Sequence, residues 1–177
     1  MEVINLLKNK VIVSVQAMPS EPLYKEECII AMMQSVINGG AGGLRVAGAR
    51  DVRNAKSLFD VPVIGITKPD KLAQNWQEVV YITPSVNDAK GLIDAGADII
   101  AFDGTSRPRL EASLEELISI VKNNNRLAMA DIATFEEGLN CEKLGVDILS
   151  TTLSGYTLES KNDLEAVSYT HLAGDSQ

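Results

Sequence analysis

The sequence predicts an α/β fold, a (β/α)8 TIM-type barrel that is incomplete, with about six of its eight βα units present. Three observations carry this. Short apolar runs alternate with amphipathic segments of helix length, the pattern of a parallel sheet wrapped by helices. A helix-to-strand return recurs, as Ala95-Gly96-Ala97-Asp98 and again as Leu144-Gly145-Val146-Asp147. Each apolar run also closes on polar residues, at the end of the strands where parallel barrels place their active sites.

The first strand is Val11 to Val15, ending in Gln16. A helix from about Leu23 to Ile37 follows, with Ile29, Ile30, Met33, Val36 and Ile37 at helical spacing, and Gly39 and Gly40 end it. Strand Gly43 to Val46 and helix Ala49 to Phe59 lead to strand Val61 to Ile66, which runs into Thr67 and Lys68. Pro62 lies at the start of that strand, where proline is tolerated. Pro69 to Thr83 reads as a long excursion, and Val79 to Ile82 as an accessory run within it. Ser85 is placed as the N-cap of a helix to Ala95, with Gly96 as its C-cap. The period is then regular: strand Asp98 to Phe102, helix Ser113 to Lys122, strand Leu127 to Ala130, helix Thr134 to Leu144, strand Val146 to Ser150. Ser113 with Glu116 and Thr134 with Glu137 have capping-box spacing.

An open doubly wound sheet is the alternative, since six strands suffice for it. Its dinucleotide fingerprint would follow the first strand, yet Val15 to Pro19 contains no glycine. The glycines from Gly39 to Gly43 precede a strand and read as a turn.

A chain of 177 residues, 45% hydrophobic, holds one domain. Lys and Arg number 16 against 24 Asp and Glu, and the net charge of −8 argues against nucleic acid or an anionic membrane as partner. A small molecule fits better; self-association into a homo-oligomer is left open. No apolar stretch approaches the ~18 residues of a membrane span, and Met1 to Lys10 lacks the pattern of a signal peptide. The protein therefore reads as cytoplasmic. Cys28 and Cys141 have no partner at metal-site or redox spacing and read as core thiols. The single histidine, His171, lies in the last seven residues, a tail expected to stand outside the fold. Without it there is no Ser-His-Asp triad and no His-rich metal site, so acid and base chemistry falls to Lys, Asp, Glu or Tyr.

The strand ends read, in order, Gln16, Arg45, Lys68, Asp103, Asp131 and the pair Thr151-Thr152. Lys68 is the best candidate for chemistry. An unperturbed lysine, with a pKa of ~10.4, is no base at neutral pH, but partial burial and a neighbouring cation lower it towards ~7 to 8. Arg45, one strand away, can supply that charge or hold an anionic oxygen. Asp131 and Gln16 are suited to hydrogen bonds with sugar hydroxyls.

At these residues the sequence resembles the N-acylglucosamine-6-phosphate 2-epimerase family, also called N-acetylmannosamine-6-phosphate epimerase. The stretches that carry the resemblance include Val13-Ser14-Val15-Gln16-Ala17, Gly43-Leu44-Arg45, Pro62 to Lys68, Ile82-Thr83-Pro84-Ser85, Ala101-Phe102-Asp103-Gly104-Thr105, Met129 to Thr134, and Ser150 to Thr157. The resemblance implies a (β/α)8 barrel that interconverts N-acetylmannosamine 6-phosphate and N-acetylglucosamine 6-phosphate in sialic acid breakdown, with no cofactor and no metal. It implies that Lys68 removes the proton at C2 and that Gln16, Arg45 and Asp131 line the substrate pocket. A glutamate on the seventh strand and a phosphate-binding Gly-Gly strand are implied beyond the present sequence. In their place, Ala166 to Leu172 resembles the translation of a transposon-end sequencing adapter. Residues 1–165 are accordingly expected to form the partial barrel and 166–177 a non-native tail, leaving the fragment inactive. A barrel enzyme with a Schiff-base lysine and a non-catalytic sugar-phosphate-binding module on the same fold are the alternatives.

Overall fold

The computed structural model describes residues 2–160. The elements in chain order are α1 (Glu2–Leu7), β1 (Ile12–Val15), a 3-10 turn (Pro22–Tyr24), α2 (Glu26–Asn38), β2 (Gly43–Ala47), α3 (Ala49–Leu58), β3 (Val63–Ile66), α4 (Val86–Asp94), β4 (Ile99–Asp103), α5 (Leu114–Asn123), β5 (Leu127–Asp131), α6 (Phe135–Lys143) and β6 (Ile148–Ser150). All neighbouring strands pair in parallel, in the order β1-β2-β3-β4-β5-β6. An order that follows the chain has no reversal point, which sets aside the doubly wound alternative. The described residues thus hold six units of a parallel (β/α) barrel. The tail 166–177 and His171, given roles in the sequence analysis, lie outside them.

Two apolar layers hold the sheet. The outer one packs Val46, Ile100 and Phe102 of the strands against Met33, Val52, Leu92, Leu117 and Val121 of the helices. The inner one gathers Ile64 and Ile66 of β3, Ile99 and Ala101 of β4, Met129 of β5, and Ile82 and Leu153 from loops. Alternation along each strand makes the two layers possible, because successive side chains point to opposite faces.

Helix α1 is not foreseen by the sequence reading. Its Val3 and Leu7 pack on the inner layer, and Leu7 lies so close to Gly43 that a Cβ there would come within 2.6 Å of Leu7 Cδ2. Gly43 begins β2, so α1 closes the barrel at the end opposite the polar strand termini. The first long helix also starts later than its periodicity suggests, since Pro22–Tyr24 makes a separate turn and Lys25 is extended. Val79 to Ile82 forms no strand; the excursion after β3 is irregular throughout, and Tyr81 and Ile82 from it contact the inner layer.

Helix starts follow the caps. Ser113 and Thr134 each form the reciprocal capping box with Glu116 and Glu137, and Ser85 does so with Asp88. Each such cap contributes about 1 kcal/mol. Gly96 and Gly145, after α4 and α6, have φ of +95° and +88°, the left-handed turn that returns the chain to the next strand. Cys141 is buried as expected, but Cys28 is half-buried and borders a groove beside β1.

Candidate active site

Register decides which strand ends meet. Arg45 of β2 lies between Ser14 and Ile64, and Asp131 of β5 lies between Asp103 and Ser150. Ile64 and Met129 belong to the inner layer, so Arg45 and Asp131 both project into the barrel. There they form a two-point ion pair, Arg45 Nη1 donating to Oδ1 at 3.0 Å and Nη2 to Oδ2 at 2.6 Å. Thr152 Oγ1, beyond β6, donates to the same Oδ1 at 2.8 Å. Asp131 is fully buried and Arg45 only 8% exposed.

Lys68 follows β3 by two residues, half-buried and close enough to Arg45 and Asp131 to feel both charges. Burial pushes its pKa below the ordinary lysine value, the Arg45 charge lowers it further, and Asp131 opposes both. The backbone of Thr67, the residue before Lys68, is held by Thr83, to which the sequence reading assigns no site role. Thr83 Oγ1 accepts from Thr67 N at 3.0 Å and donates to Ala101 O at 2.7 Å, and Thr83 N donates to Thr67 O. Holding this position puts Thr83 at φ of +44°, in the left-handed region. A cavity of about 360 Å³ beside Lys68 is lined by Lys71, Trp76, Tyr81, Asp88 and Glu111 among others.

Gln16 is not joined to this group by any hydrogen bond among the described residues. It is half-buried just past the end strand β1, and its Nε2 donates to Ser14 Oγ. Asp103 sits beside Asp131 in register yet has a different task. Its buried carboxylate accepts from Arg107 Nη2, Thr105 N and Thr105 Oγ1, and Arg107 Nη1 continues to Trp76 O at 3.0 Å. The Arg107 guanidinium also lies over the Tyr81 ring, 5.4 Å from its centroid. Burial pushes the Asp103 pKa up, against the pull of Arg107. Asp103 therefore anchors the excursion. Trp76 meets Tyr81 edge-on at 6.2 Å and Tyr156 at 6.3 Å, so aromatic contacts link that excursion to the loop after β6. Among the described residues no group of three or more His, Cys, Asp or Glu side chains could hold a metal ion, and no helix is long and apolar enough to cross a membrane.

A parallel (β/α) barrel whose third strand ends in a half-buried lysine beside a buried arginine-carboxylate pair is an enzyme-type mouth. The chain belongs to a particular family of such barrels: the profile described as "Putative N-acetylmannosamine-6-phosphate epimerase" matches residues 29–173. Relatives of that description share 43% identity over 146 residues in Edwardsiella ictaluri and 43% over 150 in Proteus mirabilis, covering 82% and 85% of this chain. The chain spans 60% and 62% of the length of these two curated relatives. The solved N-acetylmannosamine-6-phosphate 2-epimerase of Clostridium perfringens superposes with a TM-score of 0.82 at 37% identity, over 89% of this chain and 67% of that one. A dihydropteroate synthase of Xanthomonas albilineans, at 13% identity and a TM-score of 0.58, shares the fold alone.

Proposed function

We propose that this chain carries the deprotonating half of an N-acetylmannosamine-6-phosphate 2-epimerase site. Lys68 in its neutral form, which its lowered pKa favours relative to an ordinary lysine, takes the proton from C2 of the sugar in its open-chain form. The C–H electron pair moves towards C1, and the carbonyl becomes an enolate. Arg45 supplies positive charge near the developing oxyanion while Asp131 holds its guanidinium in place, and Gln16 and Asp131 face sugar hydroxyls. Return of a proton to the opposite face of C2 completes the epimerisation. The acid for that step is the glutamate that the family resemblance puts on a seventh strand, so the 177-residue chain by itself is expected to give no turnover.

One observation carries this reading: a half-buried lysine stands at the mouth of β3, where burial and the Arg45 charge lower its pKa against the opposing pull of Asp131. Such a lysine would serve a Schiff base equally well. A completed barrel, made by joining residues 1–160 to the part of the Clostridium perfringens relative that follows the matched stretch, separates the two. Incubated with N-acetylmannosamine 6-phosphate, it should form N-acetylglucosamine 6-phosphate by NMR and give no adduct with borohydride. A borohydride-stable adduct at Lys68 would establish the Schiff base instead.

A further inference from the structure

The excursion between β3 and α4 builds a wall beside Lys68 to which proton transfer at C2 gives no task. Both strands that flank it, β3 and β4, have their neighbours on either side within this chain. Ala73, Trp76, Val79, Val80 and Tyr81 of the excursion line the cavity of about 360 Å³ that Lys68 borders, and all but Ala73 are half-buried. The wall is held from behind. Asp103, itself buried, fixes the Arg107 guanidinium, which donates to Trp76 O and covers the Tyr81 ring, while Trp76 meets that ring edge-on. Asp88 and Glu111 lie on the border of the same cavity, and their carboxylates repel a phosphate group. A largely apolar wall also gives sugar hydroxyls little to bond with. It suits an apolar substituent.

We infer that this cavity is the subsite for the N-acyl group of the substrate, that Trp76 and Tyr81 determine its specificity, and that it accepts acyl chains longer than acetyl. The assignment rests on Lys68 acting at C2. That carbon bears the acylated nitrogen as well as the proton, so a base in contact with the proton has the acyl group within a few ångströms. Size sets the preference. An acetyl group has three non-hydrogen atoms and fills roughly 90 Å³, taking for each the ~30 Å³ of a water molecule, which leaves most of the cavity empty. Butanoyl adds two methylenes against the same wall, and each strengthens binding about fourfold when fully buried.

The probes are N-acetyl- and N-butanoylmannosamine 6-phosphate, given to the completed barrel. Its kcat/KM for the butanoyl compound should exceed that for the acetyl compound severalfold. Ala73→Phe, at an exposed position, puts a ring into the cavity and should lower the butanoyl-to-acetyl ratio at least tenfold. Trp76→Ala removes the wall and should bring the ratio to one or below. Each ratio is taken within one protein, so a variant that folds poorly loses both activities alike. Trp76 is the single tryptophan of the 177-residue chain, and the difference in emission from a Trp76→Phe variant isolates its signal. That signal should change more with the butanoyl than with the acetyl compound at saturation. A wild-type ratio of one or less, a ratio that neither Ala73→Phe nor Trp76→Ala lowers, or a Trp76 signal indifferent to the acyl chain would overturn the inference and leave Lys68 in place as the base. A completed barrel that does not epimerise even the acetyl compound would remove the Lys68 reading, and the subsite with it.

Discussion

Arg45 and Asp131, 86 residues apart in sequence, meet inside the barrel through two parallel hydrogen bonds, with the carboxylate fully buried. A buried pair of this kind is costly to break, because the survivor is left as an uncompensated charge. Asp131→Ala should therefore destabilise the completed barrel by about 3 to 5 kcal/mol in a denaturant titration. A loss under ~1 kcal/mol, the range of exposed pairs, would mean that water reaches Arg45.

Arg45→Lys keeps the charge and loses the planar fork that matches the carboxylate. In the completed barrel kcat/KM should fall although the substitution looks conservative. An unchanged kcat/KM would show that Arg45 acts through charge alone.

Lys68 makes stability depend on pH with a definite sign. Its folded pKa lies below that of the unfolded chain, so between the two values the unfolded state binds more protons, and stability rises with pH across that window. At lower pH both states are protonated and the cost of the buried cation is fully present. Lys68→Met should remove this rise from the pH profile of chemical denaturation. A profile identical to wild type up to about pH 10 would show that the Lys68 ammonium is as well solvated in the fold as outside it.

Thr83 bridges the end of β3 to Ala101 of β4 and is fully buried. Thr83→Val keeps the shape but leaves Thr67 N and Ala101 O without that partner, at about 1 to 3 kcal/mol for each buried group stranded. Because Thr67, which Thr83 holds, directly precedes Lys68, kcat should fall more than KM rises. Equal changes in both would assign Thr83 to substrate binding.

Local signals made much of this fold readable. Ser113 with Glu116 and Thr134 with Glu137 form the caps their spacing predicts, and Gly96 and Gly145 make the turns their recurrence suggests. Helix α1 escaped because its six residues carry no buried side chain, and only the distant contact of Val3 and Leu7 with the inner layer gives it a place. Site residues divide in the same way. Strand-end position singles out Asp103 and Asp131 alike, yet one is tied to Arg107 in the following loop and the other to Arg45 three strands away. Nothing in the spacing tells these apart. The left-handed backbone of Thr83 has no sequence signal either, since threonine is a β-branched residue for which that region is unusual.

If Lys68 takes the C2 proton, exchange of that proton with solvent depends on it. The completed barrel and its Lys68→Ala variant would be incubated with N-acetylmannosamine 6-phosphate in D2O, and loss of the C2 proton signal followed by NMR. Circular dichroism would establish that both are folded. Wild type should exchange the proton and Lys68→Ala should not, although its Arg45–Asp131 pair is intact. Exchange in the variant at near wild-type rate would remove Lys68 from the mechanism.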